Sequence, residues 1–338
     1  MPGTLDPATA LKALKAAADP TRLRILALLA RGELNVKDLT RVLGQSQPRI
    51  SRHLKLLADA ALIERAREGS WVYFHLAEAR DTGLLPRILD DMLDAADPLL
   101  LRDRERAEAI KRERATAAQA YFAAHAAEWD RIRGLHVAEV EVEAAMSRAL
   151  GPGPFDLLAD LGTGTGRILE LFGPRARRAI GIDLNHAMLA YARSRLEREG
   201  LRHCQVRHGD IYDVPLADAA ADAVVMHQVL HFLLDPPRAI AEASRIVRPG
   251  GRLLIVDFAP HELEFVRKDY AHERLGFADA QIAAWLEQAG LEASGASQLA
   301  PPAREGEAKL TVSLWLARRP AEARQPRPQR TWSAWHEG

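Results

Sequence analysis

A short apolar segment that runs into a glycine-rich loop is the feature of this sequence that most restricts its fold. Residues 156–161 read DLLADL, and residues 162–166 read GTGTG. Ile168, Leu169 and Phe172 then recur at helical spacing. Glycines suit a sharp turn at which a ligand can approach backbone amides at the positive end of a helix. We therefore predict a buried strand, a ligand-binding loop and a helix, in that order.

A second strand-like segment strengthens this interpretation. Residues 179–182 are apolar and end in Asp183, which follows Gly162 by about 20 residues, the spacing at which an acid can accept both hydroxyls of a ribose. Four more strand-like segments follow, mostly with helical ones between them, at 204–207, 223–226, 252–257 and 310–316. The alternation predicts a Rossmann-like, doubly wound sheet of the α/β class. The loop and its acid would suit a dinucleotide oxidoreductase as well.

The N-terminal hundred residues have a different pattern, which predicts an α+β domain. Asp19-Pro20 resembles a helix start, a second short helix is expected over 36–43, and Ser46 is placed as the N-cap of a third helix. In that third helix Ile50, Leu54 and Leu57 share the core-facing side. The opposite side carries arginine, glutamine, lysine and serine, which can read base edges and bind phosphates.

A predicted hairpin follows, with strands over 63–66 and 71–76 and a turn between them. We interpret it as the wing of a winged helix-turn-helix, and it adds further arginines. The predicted DNA contacts are Ser46, Gln47, Arg49, Ser51, Arg52, His53, Lys55, Arg65 and Arg67. A protein-binding module is the alternative for such a three-helix unit with a hairpin.

Composition limits the remaining possibilities. The chain has 46 basic and 46 acidic residues, so a nucleic-acid site must come from a local basic surface. A single cysteine, Cys204, excludes a disulfide framework and a site built from several thiolates. Because no signal segment or membrane-spanning run is evident, we expect a cytoplasmic protein without a membrane partner.

Four regions are predicted along the 338 residues. They are the winged helix-turn-helix domain over 1–97, a charged helical connector over 98–130, the Rossmann-like domain over 131–318 and a disordered tail over 319–338. The connector interleaves charges of both signs without glycine or proline around 101–114, which predicts a solvated helix. The tail combines proline, arginine and glutamine without periodicity.

Residues 14–76, from LKAAADP to WVYFHL, resemble the ArsR-type winged-helix repressors, and the likeness extends over about residues 8–97. The resemblance implies a homodimer that binds a palindromic DNA operator and responds to an effector. A stripe suitable for the dimer helix is formed by Leu85, Ile88, Leu89 and Met92. The family's metal sensors carry cysteines where this chain has Asn35 and Lys37, so we expect no metal site.

The segments DLGTGTG, GIDLN, HGDIYDVPL, DAVVMHQVLHFLLDP and RIVRPGGRLLIVDF resemble class I S-adenosylmethionine-dependent methyltransferases, especially the quinone-type branch. The resemblance places Asp160, Gly162 and Gly164 around the methionine moiety, Asp183 at the ribose, and His227 near the sulfonium. The implied cofactor contacts as a set are Asp160, Gly162, Thr163, Gly164, Gly166, Asp183, Leu184, Asp210, Ile211 and His227, with Asp210 and Ile211 at the adenine.

A catalytic role is a separate question, because methyl transfer from an activated donor needs mainly proximity and sometimes a base. His227, His231 and Tyr270 are candidates for such a base or for substrate contacts. His227 and His231 at i, i+4 could equally form a helix start. Asp257, at the end of a strand, could be structural. DNA methylation and arsenic methylation are disfavoured, because their sequence signatures and thiolates are missing.

We therefore expect a transcriptional regulator, a repressor, whose operator binding responds to S-adenosylmethionine or S-adenosylhomocysteine. The alternative is an active methyltransferase that acts on a small-molecule methyl acceptor and carries an appended DNA-binding domain.

Overall fold

A computed structural model describes residues 6–68, 71–77, 92–94, 96–129, 138–301 and 310–321. The chain divides into two compact units. The first unit comprises Met1–Tyr121, Phe232–Asp235 and Pro260–Leu275, and the second comprises Phe122–His231, Pro236–Ala259 and Gly276–Gly338. The first unit thus extends past the predicted boundary at residue 97 and takes in most of the connector. Within the described ranges, no helix has the length and apolar character needed to cross a bilayer.

In the described part of the N-terminal region, the chain forms a small antiparallel sheet and five helices. They are α1 Pro7–Ala17, α2 Pro20–Leu29, β1 Leu34–Asn35, α3 Val36–Leu43, α4 Gln47–Asp59, β2 Ile63–Glu68, β3 Trp71–Leu76 and α5 Pro98–His125. Strand β3 lies between β1 and β2. Helices α3 and α4 with the β2–β3 hairpin confirm the predicted winged helix-turn-helix.

The helix boundaries of this unit follow from capping residues. The carboxylate of Asp19 accepts the amides of Thr21 and Arg22 at 2.9 and 3.0 Å and starts α2. Asn35 caps α3, because its side-chain oxygen accepts the amide of Asp38 at 2.9 Å. Ser46 stands at the N-cap of α4, but its hydroxyl makes no capping hydrogen bond there.

The core of the first unit includes the connector. Ile50, Leu54 and Leu57 of α4 are buried as predicted, and Ala107 and Ile110 of α5 pack into the same cluster. The expectation of a fully solvated connector helix is therefore wrong for one face of α5. Its apolar residues recur at helical spacing, and burying them stabilises the helix more than charge alone could.

The α-helices and strands that follow α5 in the chain belong to the second unit, apart from one short helix. In chain order these elements are α6 Glu139–Leu150, β4 Phe155–Leu161, α7 Arg167–Phe172, β5 Ala176–Asp183, α8 His186–Arg198, β6 Cys204–His208, β7 Ala221–His227, α9 Pro236–Ile246, β8 Val247–Phe258, α10 Phe265–Asp269, α11 Asp279–Gln288, β9 Glu292–Leu299 and β10 Val312–Arg318. Of these, α10 lies in the first unit. Three short 3₁₀ helices cover Ala126–Glu128, Gly173–Arg175 and Leu230–Phe232.

These strands form one sheet in the order β6-β5-β4-β7-β8-β10-β9. Strands β4 to β8 pair in parallel, whereas β10 is antiparallel to β8 and β9. This arrangement confirms the predicted doubly wound sheet of the class I methyltransferase type. The sequence did not predict β9, because this edge strand is made of small, polar and exposed residues without apolar alternation.

Candidate nucleic-acid interface and cofactor site

The outer face of α4 presents the polar side chains that the sequence predicted as DNA contacts. Those that the structure leaves exposed are Ser46, Gln47, Arg49, Ser51, Arg52 and Lys55, together with Arg65 of β2. His53 is half-buried, and its Nδ1 lies 3.7 Å from a carboxylate oxygen of Asp19. His53 therefore points toward the start of α2. The side chain of Arg67 lies outside the described residues.

Within the described ranges, the cations on this face form no ion pairs inside the protein. Among the residues that the structure describes, no carboxylate lies within ion-pair distance of Arg49, Arg52 or Lys55. By contrast Arg41, at the end of α3, donates to Glu113 of α5 at 2.7 Å. The helix therefore offers a surface whose positive charge is available to a polyanion.

The glycine loop between β4 and α7 has a backbone that only glycine adopts readily. Gly162, Gly164 and Gly166 have φ angles of 76°, 51° and 80°. The amides of Gly162 and Thr163 donate to the carbonyl of Ile182 at 2.8 and 3.0 Å. The amide of Gly164 donates to Asp183, and that of Gly166 to the carbonyl of Thr163, both at 2.8 Å.

Four of the loop amides are thus occupied within the protein. A loop that binds a diphosphate needs such amides directed at the ligand. The dinucleotide interpretation therefore loses its main support in this loop.

Two carboxylates frame the loop at the ends of the adjacent strands β4 and β5. Asp160 is 1% exposed, and its Oδ2 accepts the Thr163 hydroxyl at 2.5 Å. Asp183 accepts the amides of Gly164 and Asn185, each at 2.8 Å. Burial raises the pKa of Asp183, although these two amides and His208 oppose the shift. The carboxylate of Asp160 suits an ammonium group, and that of Asp183 suits a ribose diol. S-adenosylmethionine has both of these groups and no phosphate.

Two further side chains lie against the loop and were not predicted. A Cβ atom on Gly162 would lie 2.4 Å from Cγ2 of Val229, and one on Gly164 would lie 3.6 Å from Nε1 of Trp129. Trp129 follows the end of α5 and stacks edge-on against Phe122 at 5.4 Å. Nothing in the sequence indicated that Trp129 lies at the glycine loop, because Trp129 and Gly164 are more than 30 residues apart and follow different elements.

The predicted adenine and ribose contacts lie along the same edge of the sheet. Leu184 and Asp210 are exposed, Ile211 is half-buried, and Asp210 accepts the amide of Tyr212 at 2.9 Å. Beside Asp183 the rings of His186 and His208 stack in parallel with their centroids 4.1 Å apart. In the described part of the chain, no three His, Cys, Asp or Glu side chains come together as a candidate metal site. The ligand roles of these residues stay predictions.

The candidate catalytic residues do not share a helix. His227 is the last residue of β7 and is buried, whereas His231 lies in a 3₁₀ helix after Gln228, whose φ is 49°. The alternative in which the two histidines form a helix start is therefore wrong, because the turn at Gln228 separates them. His231 Nδ1 lies 2.7 Å from Asp257 Oδ1, and its amide donates to Oδ2 at 3.3 Å. Tyr270 ends α10 and belongs to the first unit.

Comparison with known proteins identifies both parts of the chain. Residues 19–65 match the family described as "Bacterial regulatory protein, arsR family", and residues 159–255 match a "Methyltransferase domain" family.

Several similar curated proteins are methyltransferases. A "Probable S-adenosylmethionine-dependent methyltransferase" of Mycolicibacterium smegmatis is 33% identical over 138 residues, which cover 39% of this chain and 51% of that protein. A malonyl-[acyl-carrier protein] O-methyltransferase of Serratia marcescens is 38% identical, covering 35% of this chain and 45% of that protein. A demethylmenaquinone methyltransferase of Thermobifida fusca is 31% identical, covering 40% and 65%. This chain thus spans about half the length of these relatives.

Among solved structures, the YcgJ protein of Bacillus subtilis is similar, with 18% identity and a TM-score of 0.47, over 54% of this chain and 99% of that one. The two family matches show that residues 19–65 of this chain form a domain of the arsR regulatory-protein family and that residues 159–255 belong to a methyltransferase domain.

Proposed function

We propose that this protein is a transcriptional repressor whose affinity for its operator depends on S-adenosylmethionine or S-adenosylhomocysteine in the methyltransferase domain. One observation carries the ligand half of this proposal. The loop amides are bonded within the protein, while two carboxylates stand at the ends of β4 and β5. That arrangement favours a ligand with an ammonium group and a ribose over one with phosphates.

For the ligand, each residue has a stated task. The carboxylate of Asp160 would accept the ammonium group of the methionine moiety, and that of Asp183 would accept both ribose hydroxyls. When bound, S-adenosylmethionine supplies an activated methyl group and a positive sulfonium. Its demethylated product lacks both, so the protein can distinguish the two only through groups near the sulfur, for which His227 is the candidate.

For DNA, the exposed face of α4 supplies groups of two kinds. Arg49 and Arg52 can donate bidentate hydrogen bonds to guanine edges, and Gln47 can donate to N7 of adenine while accepting from its amino group. Lys55 and Ser51 suit phosphates. The wing adds Arg65 beside them. A protein that binds an operator must reach the genome, which supports a cytoplasmic location as part of this proposal.

A homodimer is the assembly that we propose on the DNA, because palindromic half-sites require two recognition helices. The predicted dimer stripe lies outside the described residues except for Met92, which is 76% exposed. Exposed leucines also occur on α1 and at the start of α5, namely Leu11, Leu14, Leu99 and Leu101. Their exposure in the single chain supports an apolar surface that a second copy would cover.

The test is thermodynamic. A ligand changes operator affinity only if it binds the DNA-competent and DNA-incompetent states with different affinity, and DNA must then change ligand affinity by the same factor. We would select an operator from a randomised DNA library and titrate it at fixed salt with each ligand. Equal operator affinity with and without both ligands would refute the proposal.

An active small-molecule methyltransferase is the second candidate, because its curated relatives are methyltransferases and because Asp257 fixes the orientation of His231. A carboxylate that holds one ring nitrogen selects the tautomer of a histidine, as a general base requires. Incubation of the protein with methyl-labelled S-adenosylmethionine and a cell extract distinguishes the repressor from the active methyltransferase. Label in a small molecule favours the enzyme, and no turnover favours the repressor.

A further inference from the structure

Two short segments that leave the large sheet are built into the first unit. Phe232–Asp235 follows β7, and Pro260–Leu275 follows β8. Because β7 and β8 are parallel to β4 and β5, both segments leave the sheet at the edge that carries the two carboxylates. Open α/β sheets bind their ligands at this edge.

The residues that directly precede Phe232 belong to the second unit, and one of them contacts the glycine loop. Val229, which follows β7, contacts Gly162 so closely that a Cβ there would lie 2.4 Å from its methyl group. Two residues later, His231 is held by Asp257 of β8 through its ring and its amide. A displacement of the glycine loop would therefore move the chain just before Phe232.

The ends of the two segments meet the winged helix at Arg274. This arginine is 2% exposed, and it donates to Glu33 at 2.8 Å and to the carbonyl of Leu234 at 3.1 Å. Its guanidinium also lies 4.2 Å from the ring centroid of Tyr73 in β3. One side chain thus joins the segment after β7, the segment after β8 and the wing.

A second set of contacts reaches the helix-turn-helix. Arg114 of α5 donates to Asp38 of α3 at 2.6 Å and lies 3.7 Å from Glu273. The hydroxyl of Tyr73 donates to the carbonyl of Glu273 at 3.3 Å. We name this group the ionic cluster, and it consists of Glu33, Asp38, Tyr73, Arg114, Glu273 and Arg274.

Both DNA-binding elements border the ionic cluster. Helix α3, which carries Asp38, packs on α4, and β3, which carries Tyr73, pairs with β2. Buried ion pairs with fixed geometry are costly to break singly, so the cluster holds these elements in one arrangement. It can therefore pass a displacement on to the wing and to α3.

We propose that ligand occupancy of the glycine loop is transmitted to the DNA-binding elements through residues 229–235 and the ionic cluster. This inference rests on the proposed function, since it names the path by which the same ligand acts. It does not require that the protein catalyse methyl transfer.

The test uses the full-length double variant Glu33→Gln/Arg274→Met, which removes the ion pair without leaving one buried charge alone. For the wild type we expect saturating S-adenosylhomocysteine or S-adenosylmethionine to change operator affinity about tenfold. In the variant this ratio should fall to below about twofold, while the dissociation constant of the ligand, measured by calorimetry without DNA, stays the same.

The matched control is Arg24→Met/Asp103→Asn. Arg24 of α2 and Asp103 of α5 form a bidentate pair in the same unit, at 2.6 and 2.7 Å. Neither side chain has a described hydrogen bond to the segments after β7 or β8. This control should keep the wild-type ratio, which separates loss of coupling from general loss of stability.

Amide hydrogen exchange makes the outcomes distinguishable. We expect ligand to slow exchange in β3 of the wild type and not in the double variant. If ligand leaves operator affinity of the wild type unchanged but still protects β3, the proposed function fails and the path stands. If the double variant responds to ligand as the wild type does in both measurements, the path is wrong. Should the double variant not fold, Arg274→Lys keeps the charge but loses the planar fork, and an unchanged ratio there would equally overturn the inference.

Discussion

The outer face of α4 and the edge of the sheet at the glycine loop both depend on charged side chains, but they use the charge in opposite ways. Arg49, Arg52 and Lys55 project from α4 without a carboxylate partner among the described residues. Asp160 and Asp183 are turned inward and accept hydrogen bonds from the loop that they frame. The first region suits a ligand with a repeating charge, and the second a ligand with a defined shape.

The comparison predicts its largest effect for the arginines of α4. In the variant Arg49→Ala/Arg52→Ala, each lost contact should cost about 1–3 kcal/mol of operator binding, so affinity should fall about thirtyfold or more in each protomer, and further in a dimer that loses both sets of contacts. The unfolding midpoint in urea should not change, because both side chains are exposed. Fluorescence anisotropy with labelled operator DNA gives the affinity.

Arg177→Ala serves as the control, because Arg177 is an exposed arginine of β5 whose ion pair with Asp156 is open to solvent. It should bind the operator as the wild type does. Normal operator binding by the double variant would contradict the assignment of α4 as the recognition helix.

Salt should separate the two regions next. If Lys55 and Arg65 each contact a phosphate in both protomers of the dimer, raising salt from 50 to 200 mM should weaken operator binding about a hundredfold. Ligand affinity should change little, because Asp160 and Asp183 act in a partly buried site that ions screen poorly. Parallel titrations at several salt concentrations measure both slopes. If operator affinity and ligand affinity depended equally on salt, the two regions would not differ in how they use charge.

The variant Asp183→Ala should weaken the binding of S-adenosylhomocysteine about tenfold to a hundredfold. It removes an acceptor for both ribose hydroxyls, and hydrogen bonds to a charged group contribute about 1.5–3 kcal/mol. It also leaves the amides of Gly164 and Asn185 without their acceptor. Isothermal titration calorimetry provides the measurement.

Asp156→Ala is the control for Asp183→Ala, since Asp156 is an exposed aspartate of β4 whose ion pair with Arg177 is open to solvent. It should have the smaller effect. If Asp183→Ala binds ligand normally and still releases DNA in response to it, the cofactor site has been placed wrongly.

The smallest effect expected is that of pH on ligand binding. Burial raises the pKa of Asp183, so this carboxylate takes up a proton at a higher pH than an exposed aspartate would. Only the ionised form can accept both ribose hydroxyls, so affinity should be full above the raised pKa and decline as pH falls through it. Calorimetry between pH 7 and pH 5 should show a decline of less than about tenfold. The variant Asp183→Asn should be flat over this range, and a parallel decline in that variant would assign the effect to another group.

Periodic patterns predicted the elements of both regions well. The helical spacing of Ile50, Leu54 and Leu57 fixed which face of α4 is buried, and hence which face is exposed. The alternation of strands and helices predicted the central strands of the sheet, since buried parallel strands are continuous apolar runs. The edge strand β9 has no such run and owes its existence to pairing with β10.

Contacts between distant residues could not be predicted in this way. Arg274 meets Glu33 across 241 positions of the chain, and neither residue stands out from other charged residues in its neighbourhood. The same holds for His231 and Asp257, whose pairing depends on the neighbouring positions of β7 and β8 in the sheet. The spacing of residues along one element indicates which face of that element a side chain lies on, but not which distant residue it contacts.

The position of Trp129 has a practical consequence. Its indole nitrogen would lie 3.6 Å from a Cβ atom on Gly164, in the middle of the glycine loop. An indole in this place emits light whose intensity and wavelength depend on the polarity around it. The protein therefore carries an intrinsic optical probe at the loop, through which occupancy can be followed in real time without a label.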